Sequence, residues 1–256
     1  MRGVQAALLT LALLAGPMLA GCAGGDSGLT VFAAASLRDT LTALQSAYAV
    51  EDATSITLSF GGSNALRVQI EQGAPADLFL SADADEAQQL SAAGRVDGGT
   101  VDFARNHVVL VTPPHGSRVG SWTDLAEPGV KVIGAVADVP IQRYADELVA
   151  LLARQPEAPA GYAAAVARNV VSREDNVATV LARIQLGEGD GAFVYASDAL
   201  AGTVTTLPLP DDVNVAATYV GAAVKGGNTS AAHRFLDWLR DPDAQAILAR
   251  YGFSAR

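Results

Sequence analysis

The sequence predicts an α/β protein: a mostly parallel sheet flanked by helices. Three observations carry this. Apolar runs of strand length alternate with longer stretches whose apolar residues recur three and four positions apart. The junctions between them are short and built largely of Gly, Ala, Ser and Pro. No segment repeats at a fixed period, so a solenoid is not indicated. Repeated strand–helix units place strands in parallel, because right-handed crossovers return the chain to the same end of the sheet.

The elements follow in order. "LTVFAAAS" is a strand leading into a helix whose inner face is Leu37, Leu41, Leu44 and Tyr48. "SITLSFGGS" leads into "NALRVQIEQG", with Leu66 and Ile70 on one face and Gly73 as the stop. "ADLFLSAD" precedes the short helix "EAQQLSAAG", and "HVVLVTPP" is a β-branched run ended by prolines. "VKVIGAVADVP" precedes "YADELVALLA", and "RNVVSRED" precedes "NVATVLARIQLG". "GAFVYASDAL" is strand, bend and helix start; "VAATYVGAAVK" is a late strand; "SAAHRFLDWLRDPDAQAILARYG" is a helical pair. The apolar stretches Val108–Val111 and Ala216–Val224 are placed to cross between two lobes, the alternative being one large sheet.

At 256 residues, 17% of them charged, the chain is long enough for one large unit or two lobes, and wholesale disorder is not indicated. A net charge of −10 argues against a nucleic-acid partner, which wants a basic surface. The N-terminus reads as an export signal: Arg2, then the apolar "VQAALLTLALLAGPMLA", too short and broken to be a stable span. "LAGC", Leu19 to Cys22, resembles a bacterial lipoprotein cleavage box. That resemblance implies a signal peptide over 1–21, lipidation of Cys22 (the sole cysteine) and a flexible tether over 22–28.

The chemistry gathers at strand–helix junctions. Ser36 follows "VFAAA" and, with Asp39 three residues on, reads as a helix cap. Gly61-Gly62-Ser63, Val139-Pro140-Ile141, Asp175-Asn176-Val177 and Tyr195 follow strands in the same way. In a parallel sheet these junctions share the carboxyl edge, where open α/β sheets bind ligands. Several helix N-termini there would bind an anion without lysine or arginine. Small residues let the guest approach the backbone, and hydroxyls of Ser36, Ser63 and Tyr195 add donors. A site of donors alone suits an unprotonated anion and rejects one carrying a proton.

Other chemistries have weaker claims. Asp77, Asp83 and Asp85 lack the glycine and terminal glutamate of a calcium loop and read as a structural group and a helix start. His107, His115 and His233 are scattered, so no zinc site is predicted. Ser36 and Ser63 lack a nucleophile-elbow setting; a secreted serine hydrolase is the rival from another class. Trp122 and Trp238 read as packing residues, and Arg38, Arg67 and Arg173 as solvated helix faces. Asp39 would oppose an anion unless it turns away or pairs with an arginine.

From Leu29 to Phe253 the chain resembles the molybdate-binding proteins of ABC importers, among the type II periplasmic substrate-binding proteins. The marks are "TVFAAASL", "SFGGSNALRVQIEQGAPADLFLSAD", "DVP" with a following "YA", "DNV", "GAFVYASDA" and a closing "YGF". The resemblance implies two lobes, the first over 29–107 and 220–256 and the second over 108–219, with the ligand in the cleft between them. It implies a monomeric receptor on the outer face of the cell membrane that takes up molybdate or tungstate, needs no cofactor or free metal, and serves a permease and its ATPase. Sulfate or another tetrahedral oxyanion is the alternative guest. The implied contacts are the hydroxyls of Ser36, Ser63 and Tyr195 and the backbone at Ile141 and Val177. The chain departs from the family after "VP", where a small residue and glycine are usual. Ile141-Gln142-Arg143 stands there instead, which implies a changed cavity or an added cationic contact.

Overall fold

The computed structural model describes residues 28–254; the export signal and the Cys22 lipidation box lie outside the described residues. The first sheet runs in the order β2 (Ile56–Gly61), β1 (Leu29–Ala34), β3 (Leu78–Ser81), β9 (Ala216–Val224), β4 (Val96–Thr112). β1 pairs in parallel with β2 and β3, whereas β9 runs antiparallel between β3 and β4. The second continues from β4 through β7 (Gly191–Tyr195) and β5 (Val132–Ala135) to β6 (Val170–Glu174), with β8 (Thr205–Leu207) also on β4. β5 is parallel to β6 and β7; β4 is antiparallel to β7 and β8.

β4 joins the two. Its first part, to His107, pairs with β9; its last part, from Val108, pairs with β7 and β8. This is the crossing the sequence predicts at Val108–Val111. The other predicted crossing differs: β9 pairs with β3 and with the first part of β4, so it begins at the seam rather than passing through it. The start of β4 escapes a periodicity reading because Gly98, at φ 72°, and Gly99 interrupt it, and the register shifts at that point. Helix α5 (Tyr162–Asn169) also escapes, because it is short and its buried face is only Tyr162 and Val166.

The helices are α1 (Arg38–Glu51), α2 (Ser63–Glu71), α3 (Ala84–Ala92), α4 (Pro140–Leu152), α6 (Val177–Gln185), α7 (Ala196–Ala201), α8 (Thr229–Trp238) and α9 (Pro242–Arg250). Leu41, Leu44 and Tyr48 of α1 are buried as their spacing predicts. Each such side chain contributes about 1.5–3 kcal/mol by leaving water. Tyr48 packs edge-on against Phe235 at 4.9 Å and tilted against Trp238 at 5.0 Å. Trp238 Nε1 also donates to Glu51 at 3.0 Å. The C-terminal helical pair thus returns to the first lobe. In the second lobe Trp122 packs edge-on against Tyr162 at 5.3 Å. Asp77 accepts the amides of Thr30 and Asn228, tying the start of β1 to the cap of α8. Among the described residues no helix is long and apolar enough to cross a membrane.

Candidate functional site

β1, β2, β5, β6 and β7 all end on the same cleft. The chain leaves β1 through a buried 3-10 turn, Ala35–Leu37, before α1. It leaves β2 through Gly62 into α2, β5 through Val139 into α4, and β6 through Asn176 into α6. Between these turns lies a narrow cavity of about 10 Å³, closed down to little more than one water. Ser36, Ser63, Ile141, Val177 and Tyr195 all line it, so the five residues picked from the sequence meet around one space. No residue lining it carries a charge.

Its donors are arranged as follows. Ser36 is not a cap: Leu37 precedes α1, and no side chain caps that helix. Its Oγ lies 2.8 Å from the Tyr219 hydroxyl, both buried. Asn106 is placed to donate to Tyr219, and its amide also donates to Ser197 Oγ at 2.8 Å. Either hydroxyl of the Ser36–Tyr219 pair can donate to the other; when an anion accepts the Ser36 proton, Tyr219 is placed to donate to Ser36 in its turn. Ser63 opens α2, and its Oγ accepts the Ala82 amide at 3.1 Å. That bond holds the oxygen and leaves its O–H to donate.

Tyr195 ends β7 and is fully buried, yet its hydroxyl has no hydrogen-bond partner. Burial pushes both Tyr195 and Tyr219 well above the ordinary tyrosine pKa, so both stay protonated donors. A buried donor left unpaired costs about 1–3 kcal/mol, and a guest that accepts its proton recovers this.

Backbone donors complete the set. No side chain caps α2 or α4, and Pro140 at the first turn of α4 has no N–H to satisfy. Asn176 caps α6 through the Thr179 amide at 3.0 Å, leaving the amides of the first turn. The first N–H groups of a helix have no partner within it, and they carry its positive dipole end. Three helices of eight residues or more start on this cavity, so its potential favours an anion.

The charged residues stay out of it. Asp39 is exposed and turns away. Arg38 lies over the Phe60 ring at 4.4 Å, and Arg173 donates to the Ala135 carbonyl at 3.2 Å. Arg67 is not a solvated residue: it pairs with Glu86 at 2.8 Å and Glu71 at 2.6 Å. Arg143 adds no cationic contact, because it pairs with Asp83 at 2.6 Å and Glu86 at 3.2 Å. Asp83 caps α3 through the Asp85 amide, as a helix-start aspartate should. Among the described residues no cluster of three or more metal-ligating side chains occurs.

A larger groove lies behind α4, lined by Val149, Val166 and Val170 among others. Its polar groups are already satisfied: Gln142 accepts the Ala135 amide and donates to Asp146, both at 2.7 Å. Tyr219 and Asn106, which stand behind Ser36, are not among the residues picked from the sequence. A tyrosine in an otherwise small apolar strand, "ATYVGAA", was the available signal for the first.

Comparison with known proteins agrees with this arrangement. The profile described as "Bacterial extracellular solute-binding protein" matches residues 29–254. The "Molybdate-binding protein ModA" of Escherichia coli (strain K12) is 31% identical over 249 residues, covering 93% of each chain. The "Putative ABC transporter substrate-binding lipoprotein YvgL" of Bacillus subtilis (strain 168) is 31% identical, covering 95% of this chain and 96% of that one. Among solved structures, the "substrate binding domain of putative molybdenum ABC transporter from Clostridium difficile" superposes with a TM-score of 0.66 at 28% identity, covering 90% of this chain and 99% of that one. The chain belongs to the bacterial extracellular solute-binding proteins, with the two-lobed type II fold, in the branch that includes ModA.

Proposed function

We propose that the cavity captures molybdate, or tungstate, and that the loaded protein delivers it to the permease and ATPase of an ABC importer. The observation that carries this is the buried, unpartnered Tyr195 hydroxyl aimed at a charge-free cavity beside two serine hydroxyls and three helix N-termini. A doubly charged, fully deprotonated tetrahedral oxyanion accepts on every face and offers no proton. Each hydrogen bond to such a charged guest contributes about 1.5–3 kcal/mol before desolvation and closure are subtracted. The contacts are the hydroxyls of Ser36, Ser63 and Tyr195 and the amides at Ile141 and Val177. The names of the ModA relatives favour molybdate as the guest.

The working unit is a monomer of two lobes, residues 29–107 with 220–256 and residues 108–219. Donors from both lobes meet one anion, so the guest favours the closed state by its differential affinity. Lipidation of Cys22 anchors the protein on the outer face of the cell membrane, a reading favoured by the lipoprotein name of the Bacillus subtilis relative. Isothermal calorimetry with molybdate, tungstate and sulfate tests the function. Tight binding of the first two and weak binding of sulfate is the expected result. Equal affinity for sulfate would make it a general oxyanion receptor, and ester turnover without oxyanion binding would make it a hydrolase.

A further inference from the structure

Of the residues after Val139-Pro140, Arg143 does something other than shape the cavity. Arg143 lies on α4, which packs on β5 and β7 in the second lobe. Its two partners, Asp83 and Glu86, lie at the cap and first turn of α3, which packs on β3, β4 and β9 in the first lobe. The guanidinium therefore reaches across the cleft. Both carboxylates are nearly sealed from water, with side-chain exposures of 6% and 2%. Arg143 itself keeps 34%. Tyr144 adds to the same junction: its hydroxyl interacts with Asp83, and its ring lies 6.3 Å from that of Tyr195.

Position makes this junction matter to the anion. Asp83 directly follows Ala82, which lines the cavity and whose amide holds Ser63. Arg143 is two residues beyond Ile141, which also lines it. Two buried carboxylates on the shoulder of the cavity would repel a dianion. Arg67 offsets one charge from within the first lobe, pairing with Glu86. The other is offset by Arg143, which comes from the second lobe, and Asp83 has no other cationic partner among the described ion pairs.

We propose that Arg143 is a clasp between the lobes that also acts as a charge screen. In the closed state it neutralises Asp83 and shares Glu86; in the open state it leaves Asp83 uncompensated beside the half-built site. Closure and a potential that tolerates the guest are thereby the same event. This inference rests on the oxyanion reading for its effect on affinity, but the clasp itself can be read without any guest.

The test uses the full chain and the variants Arg143→Met, Arg143→Lys and Asp83→Asn/Arg143→Met. Dissociation of molybdate should be about tenfold or more faster in Arg143→Met, the range expected when one partner of a buried charge pair is lost. Arg143→Lys should recover part of this loss. The double variant should bind more tightly than Arg143→Met alone, because the repelling carboxylate is gone. A merely structural role for Arg143 would not produce that reversal. Without any anion, small-angle scattering should show Arg143→Met more extended than the parent protein. Wild-type dissociation kinetics in Arg143→Met, or a double variant no better than the single, would overturn the proposal. If the parent binds no oxyanion, the functional reading falls, and the scattering result alone then upholds or sinks the clasp.

Discussion

Gly62 of the first lobe lies directly against the backbone carbonyl of Asp175 in the second: a β-carbon placed on Gly62 would sit 2.6 Å from that oxygen. No side chain fits there, although the φ of −65° would suit any residue. The glycine is thus required by the approach of the lobes and not by backbone strain. Gly62→Ala should still fold: its contact within the first lobe, Asn64 Oδ1 at 2.8 Å, is a side-chain end that can turn, whereas the backbone clash is with the other lobe. It should hold the cleft ajar and weaken molybdate binding by about a hundredfold, the scale of one lost closed-state contact set of about 2.7 kcal/mol. Calorimetry gives the affinity, and solution scattering with saturating molybdate gives the shape.

Tyr195→Phe removes a cavity side-chain donor whose oxygen has no hydrogen-bond partner among the described residues. The free protein should become slightly more stable, because a buried unpaired hydroxyl is gone, while binding loses about 1.5–3 kcal/mol. Opposite signs for stability and affinity in one substitution are the signature of a group kept for a guest. Thermal unfolding without ligand and titration with molybdate together check it.

Ser63→Ala and Tyr219→Phe separate two kinds of support. Ser63→Ala removes a donor and also orphans the Ala82 amide, so it should weaken binding by about 1.5–3 kcal/mol and cost some stability. Tyr219→Phe touches no guest. It deprives Ser36 of the bond that fixes its hydroxyl, so Ser36 can turn away. A smaller loss of affinity, about tenfold or less, is expected. Combining Tyr219→Phe with Ser36→Ala should cost no more than Ser36→Ala alone, because the two share one interaction.

Much of the site was legible because it is built from backbone. A donor at Ile141 or Val177 depends on where a strand stops and a helix starts, and that is written in local spacing, Pro140 and Asn176. The positions of Ser36 and Ser63 follow from the same punctuation. What spacing cannot carry is long-range pairing. Ser36 and Tyr219 are 183 positions apart, and only the antiparallel insertion of β9 beside β3 brings them together. Arg143 looked like a candidate cavity residue because Ile141 was one. A helix rotates successive side chains by about a quarter turn, so two positions on from a cavity residue is a different face. The missed first half of β4 has a different cause: Asp97-Gly98-Gly99 reads as a turn but forms a bulge inside a strand.

Ile141 is buried and lines the cavity on one side and the groove behind α4 on the other. Its amide is fixed by the helix start, so truncating the side chain leaves the donor in place. Ile141→Ala should cost about 2–5 kcal/mol of stability. It should also enlarge the cavity and move the molybdate-to-sulfate affinity ratio in favour of the larger anion, which calorimetry with both anions measures. An unchanged ratio would limit Ile141 to its backbone.

Asp198 supplies a pH dependence. It is buried at the start of α7, accepts the Tyr195 amide at 3.2 Å, and shares a second interlobe cavity with Arg38 and Asp39. Burial, with the Asp39 charge as a lesser cause, pushes its carboxyl up to about 7, against the pull of the Tyr195 amide. The folded state therefore holds this proton across a range where the unfolded chain, with an ordinary aspartate near 3.9, has lost it. Folded protein binds more protons there, so stability falls as pH rises from about 4 to about 7 and is level above that. The full effect of a shift of this size is about 4 kcal/mol. Asp198→Asn keeps an acceptor for the Tyr195 amide and removes the charge. Its denaturant midpoint should match the parent near pH 4 and exceed it near pH 8. The difference between the two proteins is the quantity to follow, since other carboxylates respond in the opposite direction, Asp52 among them, whose pKa is lowered by its bonds from Thr54. A parent and variant that stay parallel from pH 4 to 8 would mean that Asp198 is ionised throughout. Tyr195 would then sit beside a permanent negative charge, and the cavity would have to hold its dianion against it.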